Sequence, residues 1–335
     1  MKAYQYRIGE PMTSLAIVDL PMPVVGPGQV LVRMRAASLN FRDILVVTGR
    51  FPRVQQEVII PLSDGAGEVV ETGAGVTLLN VGDRVTPLYC QSWMNGEMQE
   101  SDTAWSLGGC IDGVAAEYRV FDEMQAVRFP DHMTYQEAAT LPCAGLTAWN
   151  SLHSPCPLAA GETLLTLGTG GVSIHALQMA HAAGAEVIVT SSNDDKLARA
   201  KALGADHVIN YVTTPDWDVA VREITGGRGV DQVMENAGGA TLLRSIKSTK
   251  RGGWIHLVGL IAPGEIDPVH ILLSGVTVRG KEVGSREMMV AMNRSLSHAK
   301  IKPVVDKVFP FEALTEALDH LGNGSHFGKI VLDIA

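Results

Sequence analysis

The chain has 335 residues, 46% hydrophobic and 19% charged, a composition that suits a folded protein with two domains and separate cores. Its 27 basic and 36 acidic residues give a net charge of −9 with no block of like sign, which argues against nucleic acid or an anionic membrane as partner. Four cysteines without C-x-x-C spacing make no disulfide framework, and neither a signal core nor a run of about 18 apolar residues occurs, so the cytoplasm is the expected setting.

The first third reads as β-rich. Strands are expected at 15–19 and 29–37, the second alternating Val30, Val32 and Met34 with Leu31, Arg33 and Arg35. Residues 40–47 suit a short helix ending near Gly49. Small residues at 64–71 and turn punctuation at 81–85 suggest a curled, closely packed sheet. Residues 90–109 are polar, acidic and aperiodic. A functional lid and a surface excursion are both open readings, with Trp93 and Trp105 favouring a loop that packs onto something. A strand follows at 114–121, then a helical pattern over 134–151.

From 161 onward, strands and helices alternate. Strands are expected at 163–167, 186–190, 207–211, 230–235 and 255–258, with an edge strand at 276–278. Helices are expected after Gly171 and at 194–203, 219–225, 242–248 and 312–321, and a last strand at 329–334. This repetition predicts an α/β protein with a doubly wound parallel sheet. The first strand runs into Gly168-Thr169-Gly170-Gly171 and then a helix beginning at Val172, the context of a dinucleotide fingerprint. Its glycines let the backbone approach a pyrophosphate, and the unpaired N–H groups of the helix start face the negative charge. Ser173 stands at the third glycine position, and the sequence alone does not explain it.

The order of these elements resembles the medium-chain dehydrogenase/reductases along essentially the full chain. The motifs that carry the resemblance are Pro61-Leu62-Ser63-Asp64-Gly65-Ala66-Gly67, Val81-Gly82-Asp83-Arg84-Val85 and Leu141-Pro142-Cys143-Ala144-Gly145-Leu146-Thr147-Ala148. They continue through the glycine turn, Ala202-Leu203-Gly204-Ala205-Asp206, Gly252-Gly253 and Phe327-Gly328-Lys329. The branch it looks most like is the zinc-independent quinone oxidoreductase and alcohol dehydrogenase-like one. The resemblance implies a GroES-like catalytic domain over 1–123, completed by 281–335, a Rossmann domain over 124–280, and an active site in the cleft between them.

In zinc-dependent relatives, the first metal ligand is a Cys corresponding to Asn40, and the second a His of a Gly-His-Glu segment corresponding to Leu62-Ser63-Asp64. Only the third, Cys143, is kept. No metal is therefore expected, with Asp64 or Asp43 as substitute ligands in the competing reading. The family positions bordering the nicotinamide are Asn40, Asp43, Cys143 and Thr147. Asn40 would polarise a substrate carbonyl or hold the carboxamide, or only cap the next helix. Phe51 replaces a common Tyr, which leaves Tyr89 or solvent as proton donor.

The resemblance assigns cofactor contacts to Thr147, Gly168, Thr169, Gly170, Gly171, Val172, Asn236, Gly259, Leu260, Phe327 and Lys329. Ser191 occupies the position of the ribose-binding acid, and Ser192, Lys196 and Tyr211 match 2′-phosphate positions. NADPH is favoured over NADH, while Asp194 and Asp195 are either ribose ligands or helix-dipole acids. The expected activity is metal-free hydride transfer to an enone, quinone or related carbonyl. An alcohol or aldehyde dehydrogenase and a non-catalytic dinucleotide-binding protein are the alternatives. A homodimer is expected through the 276–278 edge.

Overall fold

The computed structural model of the chain describes residues 1–51, 56–259 and 261–334. Two compact units appear: Met1–Leu146 with Val283–Ala335, and Thr147–Glu282.

The first unit opens with β1 (Lys2–Arg7), β2 (Ala16–Asp19), β3 (Gln29–Ser38), helix α1 (Phe41–Val47), β4 (Val58–Ile59), β5 (Asp64–Thr72) and β6 (Arg84–Pro87). It continues with β7 (Tyr118–Asp122), β8 (Ala126–Arg128) and α2 (Tyr135–Ala138). β3 is the spine of its larger sheet. β5 runs along one edge of it, and β7 pairs the first half of the other. The expected alternation holds from Val32 onward, with Val32 and Met34 fully buried and Arg33 and Arg35 half-buried, but Leu31, expected on the other face from Val30, is buried as well. A Cβ at Gly67 would collide with the Arg33 carbonyl and Val32, so only glycine lets β5 approach β3 this closely.

Two expectations change here. Residues 114–117 do not form strand, apart from an isolated bridge between Ala3 and Ala116. The helical pattern over 134–151 is broken: α2 ends at Ala138, and Leu141–Gly145 form a π-helical turn containing Pro142, whose missing N–H and ring favour such a break. The unit boundary at 146, against the expected 123, reflects β8 pairing with β6 and α2 packing on β3 and β5.

The second unit holds α3 (Leu146–His153, entering the unit at Thr147), β9 (Thr163–Leu167), α4 (Gly171–Ala182), β10 (Glu186–Ser191), α5 (Asp194–Ala202) and β11 (His207–Asn210). It continues with α6 (Trp217–Ile224), β12 (Val230–Glu235), α7 (Gly239–Ser248), β13 (Thr249–Leu257), α8 (Val269–Ser274) and β14 (Thr277–Gly280). Its sheet order is β11-β10-β9-β12-β13-β14, all parallel, the doubly wound arrangement of dinucleotide-binding folds. β9 and β12 are buried at every position, as central parallel strands covered on both faces must be.

The chain then returns to the first unit with α9 (Arg286–Ala299), β15 (Val305–Pro310), α10 (Leu314–Gly322) and β16 (Lys329–Asp333). β16 pairs the second half of β3, so the last strand lies beside the end of the spine, next to the start of α1.

Candidate active site

In the first unit, β3 leads through Leu39 into Asn40, the residue preceding α1. Asn40 has extended backbone, and its N–H donates to Asp43 Oδ2 at 2.8 Å, one half of a capping box. Its own side chain makes no hydrogen bond to the helix. Oδ1 accepts instead from Lys329 Nζ at 2.6 Å, and the same ammonium donates to the Leu39 carbonyl. β16 brings Lys329 here, because Val331 pairs with Ser38 and the Leu39 N–H donates to Ile330.

Asp64, the first residue of β5, joins the cluster. Oδ1 accepts from Ser63 Oγ at 2.6 Å, and Oδ2 accepts from the Cys143 backbone N–H at 3.0 Å, which ties the π turn to the site. Arg42 completes it. Nη1 donates to the Leu107 carbonyl at 2.8 Å and lies 3.4 Å from Asp43 Oδ1. Its guanidinium lies between the rings of Phe51 and Tyr89, 4.7 and 5.1 Å from their centroids. Exposure is 8% for Asn40 and Arg42, 3% for Lys329, 1% for Asp43 and 0% for Ser63 and Asp64.

Burying two cations and two carboxylates shifts each of them. Desolvation pushes Asp43 up to about 6, against the neighbouring Arg42 charge and the Asn40 N–H. Asp64 is also raised by burial, opposed by Lys329 and the Ser63 hydroxyl. Burial lowers Lys329, opposed by Asp64, and raises the half-buried Cys143 thiol, with Asp64 reinforcing the rise.

A zinc ion needs about three thiolate, imidazole or carboxylate donors and one open position. Here the thiol is held protonated, both Asp64 oxygens are engaged, Asn40 and Ser63 offer an amide and a hydroxyl, and an ammonium bonds Asn40. No group of three His, Cys, Asp or Glu among the described residues is arranged to hold a metal. These residues do not fit zinc.

The segment after β6 is ordered. Tyr89, Cys90 and Trp93 pack with Val283, Met98 and Cys143, and the Trp93 and Met94 carbonyls accept from the first N–H groups of α9. Trp93 is buried as its composition suggested, but Trp105 is 49% exposed.

In the second unit, the glycine turn links β9 to α4. Gly168 has φ of +77°, and a Cβ there would point into open space, so the turn is uncluttered where a phosphate would lie. Gly170 precedes the helix, and the first-turn N–H groups from Gly171 onward have no partner within it. Ser173 now has an explanation. Its buried hydroxyl donates to the Leu167 carbonyl at 2.8 Å and accepts from Asn236 Nδ2 at 2.8 Å, joining the ends of β9 and β12.

Glu235, absent from the sequence-based candidates, organises the neighbouring loop. Its Oε1 accepts from the N–H groups of Ala237 and Gly238 and from Thr241 Oγ1, and Oε2 accepts from Ser245. Gly259 packs against the Asn236 carbonyl too closely for any side chain, and Leu260 lies outside the described residues. Thr147 and Thr169 are buried, and Phe327 is fully buried in the first unit.

At the end of β10, Ser191 is buried and Ser192 exposed. Asn193 caps α5 by accepting from the Lys196 N–H, and Asp194 accepts from the Asn210 side chain at 2.7 Å. Lys196 is half-buried and Tyr211 is 42% exposed.

Arg42 escaped the sequence reading because a charged residue in the first turn of a helix looks like a solvated one. The signal that could have found it is its place between Asn40 and Asp43 in a segment assigned to the site.

A parallel dinucleotide-binding sheet and a GroES-like unit bearing a buried polar cluster define a nicotinamide-dependent oxidoreductase. The chain belongs to the medium-chain dehydrogenase/reductase superfamily. Residues 26–131 match the alcohol dehydrogenase GroES-like domain, and residues 171–298 match the domain described as zinc-binding dehydrogenase. A zinc-type alcohol dehydrogenase-like protein of Schizosaccharomyces pombe is 41% identical over 92% of each chain.

Among solved structures, an NAD-dependent alcohol dehydrogenase is 34% identical with a TM-score of 0.90, covering 100% of both chains. A Pseudomonas syringae quinone oxidoreductase is 27% identical with a TM-score of 0.83, covering 99% of both. A mycobacterial protein solved with NADPH is 27% identical with a TM-score of 0.83, covering 99% of this chain and 100% of its own. No helix among the described residues is long and apolar enough to cross a membrane.

Proposed function

We propose that this oxidoreductase is a zinc-independent reductase that transfers hydride from NADPH to an enone, a quinone or a related conjugated carbonyl. The observation that carries the reading is the donor set: Lys329 bonds the Asn40 amide, Ser63 and the Cys143 backbone N–H bond Asp64, and Cys143 brings the one thiol among these residues. Without a Lewis acid, charge on a simple alkoxide lacks its usual stabiliser, whereas an enolate or quinol spreads it. Reduced nicotinamide, when bound, supplies the hydride. Asn40 would polarise the acceptor oxygen, the buried ammonium of Lys329 would favour negative charge nearby, and Asp43 would hold Asn40 in place. Gly168 to Val172 and the loop fixed by Glu235 would hold the dinucleotide.

The preference for NADPH rests on Ser191 in place of an acid, on Ser192, Lys196 and Tyr211 nearby, and on Asp194 being engaged by Asn210. Replacing Lys196 with Ala should weaken NADPH much more than NADH; an equal effect on both would contradict the assignment. A second reading, alcohol dehydrogenase, is favoured by the names of several relatives. Elemental analysis and alcohol oxidation before and after chelator treatment separate the two. Stoichiometric zinc with chelator-sensitive alcohol oxidation would support dehydrogenase chemistry; metal-free protein that keeps its reductase activity would support the present reading.

We also propose a homodimer built on the exposed side of β14, beside which Leu272 and Leu273 of α8 are 75% and 70% exposed. A monomeric mass in solution would count against it.

A further inference from the structure

We propose that Lys329 is a positioning residue that sets the polarity of the Asn40 amide, so that Asn40 presents an N–H to the acceptor oxygen of a bound substrate. The inference rests on the reductase reading and adds to it the atom that does the polarising and the residue that orients it.

An asparagine amide has two ends of similar shape and opposite character, and rotation by half a turn exchanges a donor for an acceptor. Which end faces the reacting oxygen decides whether the residue stabilises developing negative charge or repels it. An ammonium has three donors and no acceptor, so the atom that meets Lys329 Nζ at 2.6 Å must be Oδ1. The flipped amide would set N–H against N–H in a site where neither can reach water.

Both partners are fixed independently of each other. Asn40 is held through its N–H by Asp43, and Lys329 by the pairing of β16 with the end of β3 and by its second bond to the Leu39 carbonyl. With Oδ1 taken, Nδ2 is turned away from Lys329. It is buried, makes no well-aligned hydrogen bond among the described residues, and lies near enough to the Asp64 carboxylate to favour its charged form. The neighbouring Asp64 carboxylate has one oxygen taken by Ser63 and the other by the Cys143 N–H. A buried, unpaired donor costs about 1–3 kcal/mol. An acceptor oxygen on a ligand removes that cost, most strongly when the oxygen carries charge.

The experiment combines neutron crystallography of deuterium-exchanged crystals, which locates the amide deuterons, with kinetics on the full chain. In Lys329→Met the amide should turn so that Nδ2 meets the Leu39 carbonyl, which has lost its donor. With saturating NADPH and a conjugated ketone, kcat should fall about 100-fold, as for loss of one oxyanion donor. Asn40→Ala should lose about as much, and the double variant no more than Asn40→Ala alone, because both remove one interaction. Lys329→Arg, whose guanidinium also donates and cannot accept, should hold the amide as in the parent and recover most of kcat.

An unmoved amide in Lys329→Met, losses that multiply in the double variant, or a defect confined to NADPH affinity would overturn the proposal. Should Lys329→Met fail to fold, Asn40→Asp keeps the Lys329 contact but has no N–H, and parent-like turnover in it would overturn the donor role. If the parent protein reduces no conjugated carbonyl, the reductase reading fails, while the amide orientation in the Lys329→Met crystals still decides whether Lys329 positions Asn40.

Discussion

Leu62 is fully buried yet has φ of +69°, a left-handed backbone that a branched side chain rarely adopts. It stands where the Gly-His-Glu segment of zinc-dependent relatives has glycine, and it leads directly into Ser63 and Asp64. The strain costs about 1–2 kcal/mol, and burial of the side chain returns a similar amount. Leu62→Ala gives up the burial and keeps the strain, whereas Leu62→Gly relieves it. Urea unfolding should therefore find the Gly variant at least as stable as the Ala variant, the reverse of the usual order. Ser173 gives a second test. Replacing it with Gly restores the common fingerprint but strands the Leu167 carbonyl and Asn236 Nδ2, so stability should fall by about 1–2 kcal/mol. Asn40, Asp43 and Cys143 were legible as site candidates because motif and order mark them. Lys329 was legible as a motif residue, but its partnership with Asn40 joins positions far apart in the chain, and local pattern carries no such information.

At the level of elements, the second unit was nearly all readable. Its central strands are short apolar runs bounded by turns, and parallel strands covered on both faces need little else. The glycine turn is the element on which the proposed dinucleotide binding depends. Gly168→Ala must adopt a φ near +77°, so it should lower stability by about 1 kcal/mol and weaken dinucleotide binding in a fluorescence titration. The first unit was less legible. β1 mixes exposed Lys2 and Arg7 and half-buried Gln5 with buried Ala3, Tyr4 and Tyr6, which hides a strand that pairs on both sides. No element was read at α9, although Met289, Met292 and Leu296 follow helical spacing and are all fully buried. The 134–151 pattern overran Pro142, where the backbone changes to a π turn and aims the Cys143 N–H at Asp64.

For the whole molecule, two buried groups shape stability with pH in opposite directions. Burial, reinforced by Lys281 and Arg279, lowers His256 to about 3, so it stays neutral in the fold while the unfolded chain takes up a proton below pH 6.5. Its contribution is present above that pH and lost as pH falls towards 3. His256→Gln should therefore flatten the acid side of the stability curve, by up to about 1.4 kcal/mol per pH unit in urea titrations. Asp43 works the other way. Its carboxyl is raised to about 6 from 3.8, so its contribution is present below the lower value and lost as pH rises through the upper one. The stability difference between the parent and Asp43→Asn should accordingly shrink as pH rises from about 4 to about 6.5. A site that buries this much charge trades stability for a preset electrostatic environment, which the proposed metal-free hydride transfer would use.

Metal-free reductase chemistry is decided by the initial rate of NADPH oxidation by chelator-treated protein. The rate should be measured with a conjugated ketone and with its saturated analogue. Oxidation should be rapid with the conjugated ketone, unchanged by added zinc, and slow with the saturated one. Activity that appears only when zinc is restored, or that favours the saturated ketone, would contradict it.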